Sequence, residues 1–192
     1  MAKLDTHLLP AGVRAAAPDL IYPRATPDDP ATNVMTDLRR HRAVSIQEFE
    51  TLTAAERRMI GAGVRLLLVV NPNGEITGVV TYRDLTGTRA LAAATRERIA
   101  HADLAVGLVM TPAAQTEALD YSALKHARVR DVLELLGKEG RQHTLVTETT
   151  EGRTVLRGIF STTQIGRQLG VPIEPGERAH SFAEIEQLIA HV

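Results

Sequence analysis

The strongest constraint on the fold is that the chain states one pattern twice. Val34-Met35-Thr36-Asp37 recurs 75 positions later as Val109-Met110-Thr111-Pro112. Gly63-Val64-Arg65-Leu66-Leu67-Leu68-Val69 lines up with Glu139-Gly140-Arg141-Gln142-His143-Thr144-Leu145, 76 positions on when Arg65 is placed on Arg141. Gly78-Val79-Val80-Thr81-Tyr82-Arg83-Asp84 lines up with Gly158-Ile159-Phe160-Ser161-Thr162-Thr163-Gln164, 80 positions on. The landmarks keep their order at low identity. Their drift falls chiefly in a hairpin turn, short in the first copy (Asn71-Pro72-Asn73-Gly74) and longer in the second (Thr147 to Arg153). Insertions in a turn cost little chain entropy, so the drift is compatible with a duplicated unit.

Each copy reads as a short strand (Ala43 to Ile46; Gln115 to Leu119), a helix (Thr53 to Ala62; Ala127 to Lys138), two strands around a turn, and a second helix. Thr53-Ala54-Ala55-Glu56 has the spacing of a capping box, and Gly61 and Gly63 supply a stop. In the second copy Val129, Val132, Leu133 and Leu136 recur at helical spacing before Gly137 and Gly140. Arg89 to His101, rich in Ala and Arg, reads as a connecting helix. Five of the nine prolines fall before residue 34 and make that stretch an extended arm. At the other end Ser181-Phe182-Ala183-Glu184 opens a helix to His191, with Phe182, Ile185, Leu188 and Ile189 on one face.

Composition narrows the function. Over 192 residues, 44% hydrophobic and 23% charged is the balance of a globular protein and excludes disorder for most of the length. A formal charge of -1 gives no global attraction to nucleic acid or to an anionic membrane. The absence of cysteine removes disulfides, thiolate metal sites and thiol nucleophiles. The longest aliphatic run, Leu66 to Val70, is a buried strand, far short of the ~20 residues of a membrane helix. The first residues show no secretory pattern, so a cytoplasmic location is expected. No Gly-x-x-x-x-Gly-Lys-Ser/Thr, Gly-x-Ser-x-Gly or His-Glu-x-x-His occurs, and no catalytic constellation is visible. His101 and Asp103 could offer two metal ligands, but a third is missing, and the end of the connecting helix explains them more simply.

Strand, helix, two strands and helix, opened by Val-Met-Thr and closed by Gly-hydrophobic-hydrophobic-Thr/Ser-x-x-Asp, resembles the CBS domain, named for cystathionine β-synthase. Two in tandem resemble a CBS pair, or Bateman module, over roughly Val34 to Gly170. The resemblance implies an α+β fold in which tandem CBS domains pack sheet to sheet with pseudo-two-fold symmetry, leaving clefts between them. It divides the chain into a proline-rich arm (1–33), a first CBS domain (34–88), a connecting helix (89–105), a second CBS domain (106–170) and a C-terminal extension with a helix (171–192). It further implies a regulatory, non-catalytic module that needs no cofactor. Such a module binds an adenosine-containing ligand (AMP, ADP, ATP or S-adenosylmethionine), forms a homodimer and signals to an effector protein. The chain outside the pair is too short for a fused effector.

The residues suit such a ligand. A strand carrying Gly78 runs into a helix starting near Thr81 or Tyr82, where free N–H groups and the positive end of the helix dipole would meet an anion. The Thr81 hydroxyl can donate to a phosphate oxygen, and the Asp84 carboxylate can accept from two vicinal ribose hydroxyls. The same two residues could equally cap the helix. By the resemblance, Ala43, Val44 and Val64 would hold adenine, and Thr36, Arg65 and Tyr82 join the ligand-binding set. The run Arg39-Arg40-His41-Arg42 could give cations to a di- or triphosphate, Arg42 foremost, although such a run is commonly a solvated face. In the second copy Gln164 replaces the expected Asp, while Ser161, Thr162, Arg141 and His143 keep polar groups near the cleft. One good site and one altered or empty site are therefore expected. The competing reading is a ligand-independent dimeric interaction scaffold.

Overall fold

Thr51, rather than Thr53, starts the first helix. In the computed structural model, which describes residues 23–171 and 173, the Thr51 side chain accepts from the Ala54 N–H and α1 runs Leu52–Ala62. The Thr53 hydroxyl donates instead to the Ala102 carbonyl, so the anticipated capping box from Thr53 does not form. Leu52, Ala55 and Met59 bury one face, and Gly63, at φ 65, closes the helix in the left-handed conformation that suits glycine. The expected proline-rich arm up to residue 22 and the C-terminal helix from Ser181 lie outside the described residues.

The described strands are β1 (Thr36–Asp37), β2 (Ser45–Gln47), β3 (Leu66–Val70), β4 (Ile76–Thr81), β5 (Thr111–Pro112), β6 (Ala118–Asp120), β7 (His143–Thr150) and β8 (Arg153–Ser161). The other helices are α2 (Tyr82–Thr86), α3 (Thr88–Glu97), α4 (Val129–Lys138) and α5 (Thr162–Leu169). They form two four-stranded sheets, ordered β2-β3-β4-β5 and β1-β8-β7-β6. Each has a parallel outer pair (β2 with β3, β6 with β7) and a central antiparallel hairpin, and each hairpin shifts register at the same place, after Val69 and after Val146. Two sheets with matching order and matching bulges show the duplication directly.

Four expectations are corrected by the structure, the first of them by strand pairing. Leu66 stands opposite Thr81 and His143 opposite Ser161, so Val64 matches Arg141 and Arg65 matches Gln142. Placing Arg65 on Arg141 was off by one, a slip that in a strand exchanges the two faces. The second hairpin turn is not the longer one. Glu151 and Gly152, with φ of 52 and 75, turn the chain tightly between Thr150 and Arg153, and the added residues lengthen the strands. The connecting helix starts at Thr88 and ends at Glu97, where Arg98 takes a left-handed φ of 56, and His101–Asp103 is a separate 3-10 turn. The first strand of the second copy is also shorter than read: Gln115 belongs to a 3-10 turn, and β6 begins at Ala118.

The repeats also exchange their leading strands. β1 pairs antiparallel with β8, and β5 with β4, so Thr36 lies opposite Ile159 and Thr111 opposite Val79. Gly78 and Gly158 make room for this. A Cβ on Gly78 would lie 2.5 Å from the Thr111 carbonyl oxygen, and one on Gly158 would run into the Met35 side chain. Ala31, Val34 and Met35 accordingly pack in the core of the second half with Val132, Leu136 and Phe160. Ile46, Leu52, Leu67, Val80 and Leu104 form the core of the first. A third cluster, Leu66, Leu68 and Val79 against Leu145, with Leu156 and Ile159 beside them, joins the two sheets face to face. Among the described residues no helix is long and apolar enough to cross a membrane.

A buried arginine fastens the exchanged β1. The Arg157 side chain, 8% exposed, donates to Asp37 on β1, lies 3.1 Å from Glu148 on β7 and stacks 4.8 Å over the Tyr121 ring. Burial pushes the Asp37 carboxyl up, but hydrogen bonds from Arg157 and from the Arg39 backbone outweigh it and hold the group below the usual carboxylate range.

A cleft between the two sheets

The cleft begins where β4 ends. Thr81 caps α2 in a complete capping box: its backbone N–H donates to Asp84 Oδ2 at 2.9 Å, and its hydroxyl accepts from the Asp84 N–H at 3.3 Å. The hydroxyl proton is directed to the same Oδ2, at 2.7 Å. That leaves Asp84 Oδ1, which faces the Arg89 guanidinium at 3.4 Å. The capping role foreseen for this pair is therefore realised, and one carboxylate oxygen remains turned outward from it. With only five residues, α2 contributes little dipole beyond its first N–H groups.

Thr81 and Asp84 line a cavity of about 270 Å³ between the sheets, close to the lower end of the ~300–1,000 Å³ common for ligand pockets. The first half contributes Leu66, Val79, Thr81, Arg83 and Asp84. The second contributes Thr111, Gln115, Thr116, Glu117 and the segment from Gly140 to Leu145. One wall is apolar (Leu66, Val79, Leu145) and the rim is charged. Arg141 is held over it by Glu117 at 2.5 Å and by Glu139 at 3.3 Å. His143 is half-buried; burial together with the Arg65 cation pushes its pKa down to about 4, so the imidazole is neutral at neutral pH.

Of the residues marked from the sequence, the cavity brings together Thr81, Asp84, Arg141 and His143. Thr36, Arg42, Ala43, Val44, Val64, Arg65, Gly78, Tyr82, Ser161, Thr162 and Gln164 are not among its lining residues. Ala43 and Val44 lead into β2, and Val64 and Arg65 lead into β3; they are the first-copy equivalents of Thr116, Glu117, Arg141 and Gln142. Gly78 is covered by β5, and Tyr82 is exposed on α2. Thr36 sits on the exchanged β1. Ser161 precedes α5 with no side-chain cap, the Thr162 hydroxyl is buried without a hydrogen-bond partner, and Gln164 approaches Gln168. In the basic run, Arg39 is already engaged with Glu148 at 2.7 Å. His101 Nε2 donates to the Leu85 carbonyl at 2.7 Å, a structural use that ties the 3-10 turn to α2.

The lining residues with polar side chains missed from the sequence are Arg83, Thr111, Gln115, Thr116, Glu117, Gln142 and Thr144, and the apolar Leu66, Val79 and Leu145 and Gly140 were missed with them. All the polar ones but Arg83 come from the second copy, and the signal that could have found them was the repeat itself. When two copies meet across their sheets, the end of β4 in one faces the strand starts of the other.

Residues 31–89 match the family model of the CBS domain. No curated protein matches the chain by sequence. A conserved protein of Pyrococcus horikoshii shares the fold at a TM-score of 0.54 and 19% identity, over 79% of this chain and 100% of its own. A CBS-domain-containing protein of Agrobacterium tumefaciens is similar at 0.52 and 18% identity, over 72% of this chain and 91% of its own. The CBS domain pair of protein MJ0100, solved in complex with 5'-methylthioadenosine and S-adenosyl-L-methionine, is similar at 0.50 and 16% identity, over 75% of this chain and 98% of its own.

Proposed function

We propose that this chain, which contains a CBS domain and has the fold of a tandem CBS pair, is a non-catalytic regulatory module that binds one adenine nucleotide in the cleft between its sheets. The observation that carries this reading is the convergence of Thr81 and Asp84 from one half with Arg141 and His143 from the other on a single cavity. The outward Oδ1 of Asp84 is an ionised acceptor for a ribose hydroxyl, which makes a stronger hydrogen bond than a neutral one would. Leu66, Val79 and Leu145 offer an apolar bed for a base, while Arg141 and Arg83 supply cations to a phosphate. The related pair holding 5'-methylthioadenosine and S-adenosyl-L-methionine supports an adenosine-containing ligand.

Position 164 supports an unequal second cleft. Gln164 is neutral there and its amide is turned toward Gln168, so it offers a weaker acceptor than the Asp84 carboxylate. The module then works by binding its nucleotide better in one arrangement of the two halves than in another, which biases a homodimer or an effector protein in the cytoplasm.

The test is a thermal melt of the protein against AMP, ADP, ATP, S-adenosylmethionine and NADH, with Asp84→Ala alongside. A ligand at a hundred times its dissociation constant adds about 2.7 kcal/mol, a clear shift. Stabilisation by one adenosine compound that Asp84→Ala abolishes is the expected result. A flat response to all of them overturns the reading and leaves a ligand-independent interaction scaffold.

A further inference from the structure

Arg89 stands where the outward oxygen of Asp84 meets the strand borrowed from the other repeat. Its Nη1 donates to the Val109 carbonyl at 3.1 Å and to the Thr111 hydroxyl at 3.0 Å, and lies 3.4 Å from Asp84 Oδ1. Asp84 and Thr111 both line the cavity, and Thr111 is half of the short β5. One guanidinium thus joins the cavity carboxylate to the chain segment that sets how the halves are fastened.

The second half builds the same link from different chemistry. Gln164, in the position of Asp84, lies 3.5 Å from Gln168, whose Nε2 donates to the Asn33 and Pro23 carbonyls at 3.2 Å each. Asn33 lies just before β1, as Val109 lies just before β5. Both halves therefore run from the residue three beyond the helix cap, through a side chain four or five residues later, to a carbonyl ahead of the exchanged strand. In the second half the link is neutral and Gln168 is 3% exposed. In the first it is charged, and the Arg89 side chain is 51% exposed. A buried amide link is fixed, whereas a solvated ion pair strengthens when a ligand excludes water from it.

We infer that Arg89 is a positioning residue that ties Asp84 to β5, so that filling the cavity tightens the hold of the first half on its exchanged strand while the second half stays fastened throughout. The inference rests on the nucleotide reading for its trigger but not for the link itself. A ribose hydroxyl on Asp84 covers Oδ1 from solvent without displacing the cation, and the guanidinium is then held more firmly against Val109 and Thr111.

The experiment is hydrogen exchange of the segment 106–112, with the core strand Leu66–Val70 as an internal reference for folding. It is run on the wild type, Arg89→Gln, Arg89→Lys, Asp84→Asn and the Asp84→Asn/Arg89→Gln pair, each without ligand and with AMP. Without ligand, Arg89→Gln and Asp84→Asn should each speed exchange in 106–112 several-fold, and the double variant no further. Arg89→Lys should recover part of the loss, because an ammonium reaches the carboxylate or the carbonyl but not both in one plane. With AMP, protection of 106–112 should rise in the wild type and stay flat in Arg89→Gln at matched saturation. Additive effects, or unchanged exchange in the single variants, overturn the link. If AMP does not bind the wild type, ATP and S-adenosylmethionine are run in its place; if none of the three binds, the trigger falls with the nucleotide reading, and the ligand-free cycle alone decides for or against the link.

Discussion

Replacing Gly78 by alanine should strip β5 from its sheet. The residue has no positive φ, so alanine adopts its backbone without strain, and by itself the change would restrict the unfolded chain and add ~0.4–1 kcal/mol of stability. The obstacle is space: the new Cβ would meet the Thr111 carbonyl oxygen at 2.5 Å, Met110 Sδ at 3.0 Å and the Pro112 Cα at 3.3 Å. Two of the three are backbone, so β5 itself must retreat by about an ångström, the scale at which overpacking costs ~1–3 kcal/mol. The net loss should be about 1–2 kcal/mol in urea unfolding, with faster hydrogen exchange in residues 106–112. Gly158→Ala is the informative contrast, because there the obstructing atoms all belong to the Met35 side chain. Met35→Ala should therefore rescue much of the Gly158→Ala defect, while Met110→Ala should do little for Gly78→Ala. Equal rescue in both, or a neutral Gly78→Ala, would refute the close strand approach on which the exchange depends.

Two further perturbations follow from charge. His143 has a native pKa of about 4 against 6.5 when unfolded, so between those values the unfolded chain takes up a proton that the native state refuses. Its contribution is complete above pH 6.5 and is lost as pH falls toward 4, by at most roughly 3 kcal/mol. His143→Leu, which copies Leu66 of the first half, should lose less stability than the wild type between pH 7.5 and 4.5 in urea titrations, and parallel curves would clear the imidazole of this role. Arg157→Met leaves Asp37 and Glu148 with only the exposed Arg39 for a cation and should cost roughly 2–4 kcal/mol. Asp37→Asn in that background should recover part of it, a coupling that a double-mutant cycle measures.

The duplication was legible because its landmarks are the residues that make turns and exchanges: Val-Met ahead of each borrowed strand and Thr opening it, glycines under it, Gly63 and Gly140 after each first helix. Helix starts were less legible. Thr51 and Thr53 are both competent caps, and the choice between them is made by Ala102, a partner far along the chain that takes the Thr53 hydroxyl. The strand register was misjudged for a related reason. Arg65 and Arg141 are the same residue type, but pairing across β3–β4 and β7–β8 sets Arg141 on Val64. Half of the site was visible in Thr81 and Asp84, since a capping pattern at a strand-to-helix junction is local. Of the other wall only Arg141 and His143 were marked, because Thr116, Glu117 and Gln142 acquire their meaning only when the second repeat packs across the first.

The most direct test of the nucleotide site is calorimetric stoichiometry. The adenosine compound that stabilises the protein is titrated into the wild type, Asp84→Asn and Gln164→Ala. One tight site per chain, lost in Asp84→Asn and retained in Gln164→Ala, is the predicted result. Two equal sites, or one that survives Asp84→Asn, would contradict it.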